Sequence, residues 1–322
     1  MIQDIDFNDQ QVVNYFDLVP YWVNPQKLYT AATLYDGYDV DYPETFCQCY
    51  DQKVYSHYIE RGKLTQNVLE AMARGSHDFG VCTAVAELLD GYDENQIIGV
   101  MGGNAMLRNE LAYEKIARIS KRLTEDGFLM VSGGGSGAME ATGFGAWMAG
   151  RGEPEFQEAL NRLKAVPEQR DVSYIEASMR IVLDFPQDTY DSLSIPTWLY
   201  GHEWTSPFAT HIAKLFQNSI REDGLLTISY GGIIYAPGRA GTVQEVFQKA
   251  VQNHYLTFGF ATPMIFLDKQ FWTEIIPIYP MLDNMQKKGI YHHLPLHLTD
   301  DIDEVVRIIT SSSASSSPNL LQ

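Results

Sequence analysis

From residue 97 to residue 310 the chain alternates short apolar runs with amphipathic segments, and this alternation constrains the fold more than any other feature. The runs at 97–101 and 128–132 predict strands, and the segments at 109–125 and 137–149 that follow them predict helices. Such alternation is typical of a parallel sheet that carries helices on both faces. We therefore expect a doubly wound, Rossmann-like α/β domain.

The remaining periodic segments complete a predicted domain organisation. Further strands are predicted at 193–200, 232–236, 262–267 and 294–298, and further helices at 208–222, 242–253, 270–288 and 301–310. We expect a helical and aromatic N-terminal region over 1–94, a Rossmann-like nucleotide-binding domain over 95–310, and a disordered Ser-rich tail over 311–322.

The acidic composition limits the partners of the protein. The chain has 41 acidic and 23 basic side chains and a formal charge of −18. Such a surface repels nucleic acids and anionic membranes, so an anionic ligand needs a local site. The N-terminal stretch MIQDIDFNDQ lacks the features of a secretory leader, and no apolar run approaches the roughly 18 residues of a membrane span. We expect a soluble, cytoplasmic protein.

Glycine-rich turns follow three of the predicted strands. They are GVMGGNA (99–105), SGGGSGAMEA (132–141) and APGRAGTVQE (236–245). Small residues between a strand and a helix let backbone N–H groups and the positive helix end face an anion. The first turn lacks G-x-G-x-x-G, and no glycine precedes Lys-Ser or Lys-Thr as in a P-loop. The three turns therefore predict a mononucleotide-sized phosphorylated ligand.

Two of these turns carry a resemblance to a known family. GGGSGAME at 133–140 and PGRAGTVQE at 237–245 resemble the paired signatures of the LOG-type phosphoribohydrolases and the related 5′-monophosphate nucleosidases. The resemblance covers about 97–310. This chain departs from the family pattern at Arg239, which replaces a glycine, and at Gln244, which stands where many members have a glutamate.

The turns and the resemblance together nominate a set of site residues. The resemblance implies catalytic roles for Glu245 and for Arg221, which matches a family arginine by its spacing from Pro207. The residues expected to contact the substrate or its phosphate lie in the three turns: Gly102, Gly103, Gly133, Gly134, Gly135, Ser136, Gly137, Met139, Glu140, Gly238, Arg239, Ala240, Gly241 and Thr242. His202 and Glu203 follow a predicted strand and are second-rank candidates.

Local sequence also allows simpler interpretations of these residues. Thr242 and Glu245 fit a Thr-x-x-Glu capping box, in which the glutamate only satisfies a helix amide. Arg221 lies in a charge run, where an arginine is usually solvated. The histidines of YHHLPLHL (291–298) predict no metal site, because alternation sends the adjacent pair to opposite faces and no cysteine or carboxylate completes a ligand set.

The resemblance implies a reaction. It is hydrolysis of the N-glycosidic bond of a nucleoside 5′-monophosphate to free base and ribose 5-phosphate, without a cofactor, by a homodimer. The alternative is a non-catalytic protein that binds a nucleotide or another phosphorylated ligand, either as a sensor or in the manner of the molybdenum-cofactor carriers. Arg239 and Gln244 keep this alternative open.

Overall fold

The N-terminal region is mostly helical. A computed structural model describes residues 10–171 and 173–315 of the chain. The first helices are α1 (Gln10–Leu18), α2 (Ala31–Leu34), α3 (Tyr50–Glu60) and α4 (Val68–Leu89). Asn67 starts the long helix α4, because its side-chain oxygen accepts hydrogen bonds from the N–H groups of Leu69 and Glu70.

The centre of the molecule is a sheet of seven parallel strands. The strands are β1 (Ile97–Met101), β2 (Leu129–Ser132), β3 (Ser192–Ser194), β4 (His211–Ile212), β5 (Gly232–Tyr235), β6 (Met264–Leu267) and β7 (Leu296–Thr299). Their order is β4-β3-β2-β1-β5-β6-β7, and all neighbouring pairs are parallel. The fold is therefore the expected doubly wound α/β class.

Helices cover both faces of this sheet. They are α5 (Leu111–Glu125), α6 (Ala138–Trp147), α7 (Glu153–Lys164), α8 (Tyr174–Asp184), α9 (Asn218–Ile228), α10 (Ala240–His254), α11 (Ile278–Lys287) and α12 (Ile302–Ser315). Alternate strand residues serve the two cores: Ile98 and Val100 pack with α5 and α12, whereas Ile97 and Met101 pack with α9 and α10. The N-terminal helices share this second core and close that face.

The chain reverses its direction of winding between β1 and β5. From β1 the sheet grows through β2 and β3 to β4, and from β5 it grows the opposite way through β6 to β7. The connecting helices α5 and α10 accordingly lie on opposite faces. The carboxyl ends of β1 and β5 therefore form a topological switch point, where ligands of open α/β sheets bind.

The prediction of a helix over 208–222 is wrong in its first half. This segment first forms the short edge strand β4, and α9 begins only at Asn218. Tyr29 pairs with Ile212 in an antiparallel bridge and covers this edge of the sheet. Buried apolar residues therefore lie on both sides of the segment, and its sequence shows the spacing of apolar residues that is typical of a helix. Lys214 is also buried and forms an ion pair with Asp51, so this charged residue does not lie on the solvent-exposed face of a helix.

Other predicted boundaries shift without changing the topology. The strand predicted at 193–200 ends at Ser194 and is followed by a 3₁₀ turn at Trp198–Tyr200. The helix predicted at 270–288 divides into a π-helical turn at Phe271–Ile275 and α11, because Pro277 separates them. Helices α7 and α8 were not predicted.

The expected Ser-rich tail is described only in part. Helix α12 continues to Ser315, and residues 316–322 lie outside the described residues, as do residues 1–9. Within 10–171 and 173–315, no helix has the length and apolar character needed to cross a membrane.

Candidate active site

The three glycine-rich turns meet at the switch point and interlock. Gly103 N–H donates to Pro237 O at 3.0 Å, and Ala138 N–H donates to Gly103 O at 3.1 Å. Gly137 has φ +66°, and a Cβ there would lie 2.3 Å from Gly103 O. A Cβ on Gly238 would lie 2.1 Å from Thr242 Oγ1. Glycine is therefore required where the turns touch one another.

A cleft of about 270 Å³ opens above these turns. The predicted site residues that line it are Gly102, Gly103, Gly133, Gly134, Gly135, Met139, Glu203, Arg221, Arg239, Gly241, Thr242 and Glu245. The other lining residues are Asn104, Pro196, Thr197, Tyr200, Trp204, Thr205, Glu222 and Gln244. The fold thus brings the three turns and both proposed catalytic residues to one concave surface.

The capping box expected from Thr242 and Glu245 is not formed. Helix α10 begins at Ala240, its N-cap is Arg239, and no side chain caps it. Thr242 is therefore the third helical residue, and Glu245 lies one turn further on. Because capping does not hold the glutamate, the simpler interpretation of Glu245 is wrong. The first amides of α10 lack intrahelical partners and lie beside the cleft.

The Glu245 carboxyl is held in an unusual environment. Its side chain is 13% exposed, and the nearest cation is Arg221, whose Nη1 lies 4.0 Å from Glu245 Oε1. No hydrogen bond from the described residues affects this carboxyl. Burial raises its pKa to about 7; Arg221 opposes the rise and Glu222 adds to it. A carboxyl with this pKa exchanges protons near neutral pH, as a general base requires.

Arg221 is seated by a glycine and a backbone carbonyl. Its Nε donates to Ile195 O at 3.0 Å, and its Nη2 lies 3.9 Å from Met139 Sδ. A Cβ on Gly133 would lie 2.0 Å from Arg221 Nη2 and 2.7 Å from Met139 Sδ. Gly133 therefore leaves the space that the guanidinium fills. Arg221 is not the solvated residue that its charge run suggested, because only 12% of its side chain is exposed.

Arg239 provides a cation at the edge of the cleft. Its side chain is exposed, and it makes neither an ion pair nor a side-chain hydrogen bond with the described residues. It directly precedes the free amides at the start of α10. Together these donors suit an anion, since a helix N-terminus and an arginine both attract negative charge.

The segment from 196 to 205 forms a wall that the sequence did not predict, apart from Glu203. Glu203 Oε1 accepts a hydrogen bond from Asn104 Nδ2 at 2.8 Å, which joins the wall to the first turn. Tyr200 and Trp204 add aromatic surface. The signal that nominated His202 and Glu203, the position of YGHEW at the end of a predicted strand, could also have nominated Tyr200 and Trp204.

A buried ion pair between the N-terminal region and the segment before α9 supports this wall. Lys214 Nζ donates to Asp51 Oδ1 at 2.6 Å and to Thr205 Oγ1 at 2.7 Å, and Trp198 Nε1 donates to the same Asp51 oxygen at 2.9 Å. Asp51 and Lys214 are almost completely buried. A contact between residues so distant in sequence leaves no local pattern.

Glu140 was predicted to line the ligand site, and its geometry does not fit that role. Its carboxylate accepts bidentate hydrogen bonds from Arg108, at 2.6 and 2.8 Å, and further bonds from Tyr113, Tyr174 and Ser178. Burial alone would raise the pKa of Glu140, but Arg108 and these hydroxyls keep it below its usual value. Glu140 is thus a buried structural carboxylate that does not line the cleft.

Several other predicted residues support the cleft from behind or lie outside it. The Ser136 hydroxyl lies within hydrogen-bond distance of Asn104 O, at 3.0 Å, and of Gln169 Oε1, at 2.6 Å. Gly137, Gly238 and Ala240 shape the turns without lining the cleft. His202 does not line the cleft, and its side chain is 61% exposed.

The histidines near the end of the chain lie apart from the cleft. His292 N–H donates to His254 Nδ1 at 3.0 Å, His293 has φ +58°, and His297 lies in β7. Among residues 10–171 and 173–315, no three His, Cys, Asp or Glu side chains are grouped to hold a metal ion.

No protein-family model matches this sequence, and no curated protein does. Solved structures with a similar fold include TM1055, a structural genomics target, at 17% identity and a TM-score of 0.44, covering 67% of this chain and 98% of that one. The molybdenum cofactor binding protein of the phototrophic bacterium Rippkaea orientalis has 15% identity and a TM-score of 0.42, covering 67% and 95%. The Moco carrier protein of Chlamydomonas has 14% identity and a TM-score of 0.42, covering 68% and 97%.

Proposed function

We propose that this cleft hydrolyses the N-glycosidic bond of a nucleoside 5′-monophosphate and releases free base and ribose 5-phosphate. The observation that carries the proposal is the Glu245 carboxyl, which is neither a helix cap nor a hydrogen-bonded structural group. It lies at the switch point beside the N-terminal end of α10, which no side chain caps, and burial raises its pKa to about 7. A buried carboxyl of this kind in a cleft is typical of a catalytic group.

The reaction assigns two tasks to Glu245. Breaking the bond between C1′ and the base nitrogen develops positive charge on the sugar, and the bonding electron pair leaves with the base. An ionised Glu245 stabilises that charge more in the transition state than in the substrate. Glu245 also accepts a proton from the water whose oxygen bonds to C1′. The departing base nitrogen takes up a proton from solvent.

Arg221 is assigned the task of positioning this carboxylate. At 4.0 Å its guanidinium favours the ionised form of Glu245 without forming a direct hydrogen bond. Burial and Glu222 act in the opposite direction. The balance leaves the pKa of this carboxyl at about 7, close to the pH at which a general base is most effective.

The phosphate of the substrate is assigned to the turns. The free amides at Gly241 and Thr242 and the Arg239 side chain supply donors on one side, and the turn at 133–135 supplies backbone N–H groups on the other. The acidic surface, with a net charge of −18, would otherwise repel a mononucleotide.

A second candidate function is non-catalytic binding of a phosphorylated ligand, as in a sensor or a molybdenum-cofactor carrier. Arg239 favours it, because a side chain at this position obstructs the close approach of a ligand to the backbone that a glycine would permit. Gln244 also favours it, since Gln244 Nε2 donates to Glu222 Oε2 at 3.1 Å, where a glutamate would instead add another carboxylate to the cleft.

The two functions are separated by the fate of bound nucleotide. The purified protein is incubated with each common nucleoside 5′-monophosphate, and released base is measured by chromatography while binding is measured by calorimetry. Hydrolysis predicts stoichiometric base and ribose 5-phosphate from at least one of them. Binding without any release of base would support the sensor or carrier.

A further inference from the structure

A carboxylate from the N-terminal region holds the start of helix α9. Asp78, on α4, accepts hydrogen bonds from the backbone N–H groups of Phe216 at 2.9 Å and Gln217 at 2.8 Å. Asp78 is 1% exposed, so these bonds form away from water. A buried hydrogen bond to a charged acceptor is stronger and geometrically stricter than one in water. Asp78 therefore fixes the backbone at this point.

The fixed point lies one helical turn before Arg221. Gln217 is the N-cap of α9 and its own side chain makes no capping bond. The N–H of Arg221 donates to Gln217 O at 3.3 Å, which begins the helix. Since a helix is stiff along its axis, the position and direction of its first turn decide where the Arg221 guanidinium lies.

Asp78 is itself held from the opposite side. Its Oδ1 lies 2.9 Å from His77 Nδ1, and His77 Nε2 lies 2.9 Å from the Tyr29 hydroxyl. Tyr29 exchanges two backbone hydrogen bonds with Ile212, in the edge strand β4, at 3.0 and 2.8 Å. A buried path thus runs from the sheet edge to the start of α9 through residues of the N-terminal region.

We infer that Asp78 is a positioning residue of the active site, through which the N-terminal region sets the distance between Arg221 and Glu245. This inference rests on the proposed function for its catalytic consequence. It assigns a task to a region that contributes none of the lining residues of the cleft. Asp78 itself touches no substrate, because it is buried behind α9.

A displaced Arg221 should be detectable at Glu245. The charged and titratable groups that face this carboxyl are Arg221 and Glu222 on α9 and Tyr235 on β5. Arg221 is the group that lowers the pKa of Glu245. If Asp78 positions Arg221, removing the Asp78 charge should raise that pKa further.

The test measures the pKa of Glu245 by carbon NMR in the full-length protein. Asp78→Asn is nearly isosteric but keeps only one oxygen acceptor for the two backbone donors. We expect the Glu245 pKa to rise in Asp78→Asn and in Arg221→Gln. We expect the combined variant to have the same Glu245 pKa as Arg221→Gln alone, because both substitutions act on the same interaction. An unchanged Glu245 pKa in Asp78→Asn would overturn the inference. A Glu245 pKa in the combined variant that is higher than in Arg221→Gln would overturn it too.

Glu70→Gln is the matched control. Glu70 is another fully buried carboxylate of α4, and its hydrogen bonds go to Tyr15, Tyr21, His57 and Arg74 within the N-terminal region. It should leave the Glu245 pKa at the wild-type value. An equal rise in this control would show general loosening of the N-terminal region and would also overturn the inference.

A second variant and a turnover measurement test the role of Asp78 separately from the folding of Asp78→Asn and from the proposed function. Should Asp78→Asn not fold, Gln217→Pro removes one of the donors instead, at a residue whose φ of −90° lies close to that of proline. If wild type hydrolyses a mononucleotide, turnover at saturation should fall between about tenfold and a hundredfold in Asp78→Asn. If wild type releases no base, the proposed function fails, and the NMR comparison still decides the role of Asp78.

Discussion

Arg221 and Glu245 both line the cleft, and the 4.0 Å between Nη1 and Oε1 is close enough for charge attraction and too far for a hydrogen bond. They come from different helices, α9 and α10, which flank β5. The arrangement leaves the carboxylate oxygens available to a water molecule or to a sugar cation. This relationship is the basis of the proposed chemistry.

The activity should depend on pH through Glu245. Because only the ionised carboxylate stabilises a sugar cation or accepts a proton, kcat/KM for base release should rise with pH and level off above the Glu245 pKa of about 7. The measurement is initial base release from a fixed mononucleotide at constant ionic strength. A profile that is flat between about pH 5 and pH 8 would contradict the role of Glu245.

The same carboxyl should make stability depend on pH. Burial raises its pKa from 4.5 to about 7, so its contribution to folding is fully present below pH 4.5 and is lost as pH rises through 7. Glutamine does not ionise, so Glu245→Gln does not lose this stability as pH rises. Its free energy of unfolding should exceed that of wild type above pH 7 by up to about 3 kcal/mol, and the difference should vanish near pH 4.5.

Urea unfolding of both proteins at acidic and alkaline pH checks this prediction. A difference in unfolding free energy that does not change with pH would mean that Glu245 is not destabilised by its surroundings.

Gly133→Ala should displace Arg221. The added Cβ would lie 2.0 Å from Arg221 Nη2, which is closer than any real contact. Base release should fall at least about tenfold, equivalent to 1.4 kcal/mol of transition-state stabilisation. The control is Gly224→Ala on α9, where the Cβ meets open space and alanine favours the helix. Equal activities in the two variants would contradict the claim that Gly133 leaves the space that the Arg221 guanidinium occupies.

Much of the cleft follows from local sequence signals. Glycines between a strand and a helix mark turns, and parallel strands carry those turns to one edge, which is why Gly102, Gly133 and Thr242 line the same cleft. Glu140 was misplaced because its partner Arg108 lies 32 residues earlier and nothing near Glu140 indicates that contact.

The support from the N-terminal region could not be predicted for a similar reason. Asp78 and Gln217 are 139 residues apart, and Asp51 and Lys214 are 163 apart. Buried charges of this kind leave no periodic pattern, since the partners that stabilise them lie far away in the sequence. The homodimer and the cytoplasmic location stay predictions.

Arg239 should contribute to capture of substrate more than to turnover. Its exposed guanidinium lies beside the free amides of α10 and would bind the phosphate equally in the substrate and the transition state. Arg239→Ala should therefore raise KM with little change in kcat, and Arg239→Lys should restore part of the loss. Unchanged or improved capture in Arg239→Ala would identify Arg239 as an obstruction and favour a ligand other than a simple mononucleotide.

The central claim is that the Glu245 carboxylate breaks the glycosidic bond. The most direct measurement compares wild type and Glu245→Gln for release of base from saturating mononucleotide, with binding of the same nucleotide measured in parallel. Glutamine keeps the shape and removes the charge, so base release should fall roughly a hundredfold or more while binding persists. A Glu245→Gln protein that releases base as fast as wild type would contradict the account.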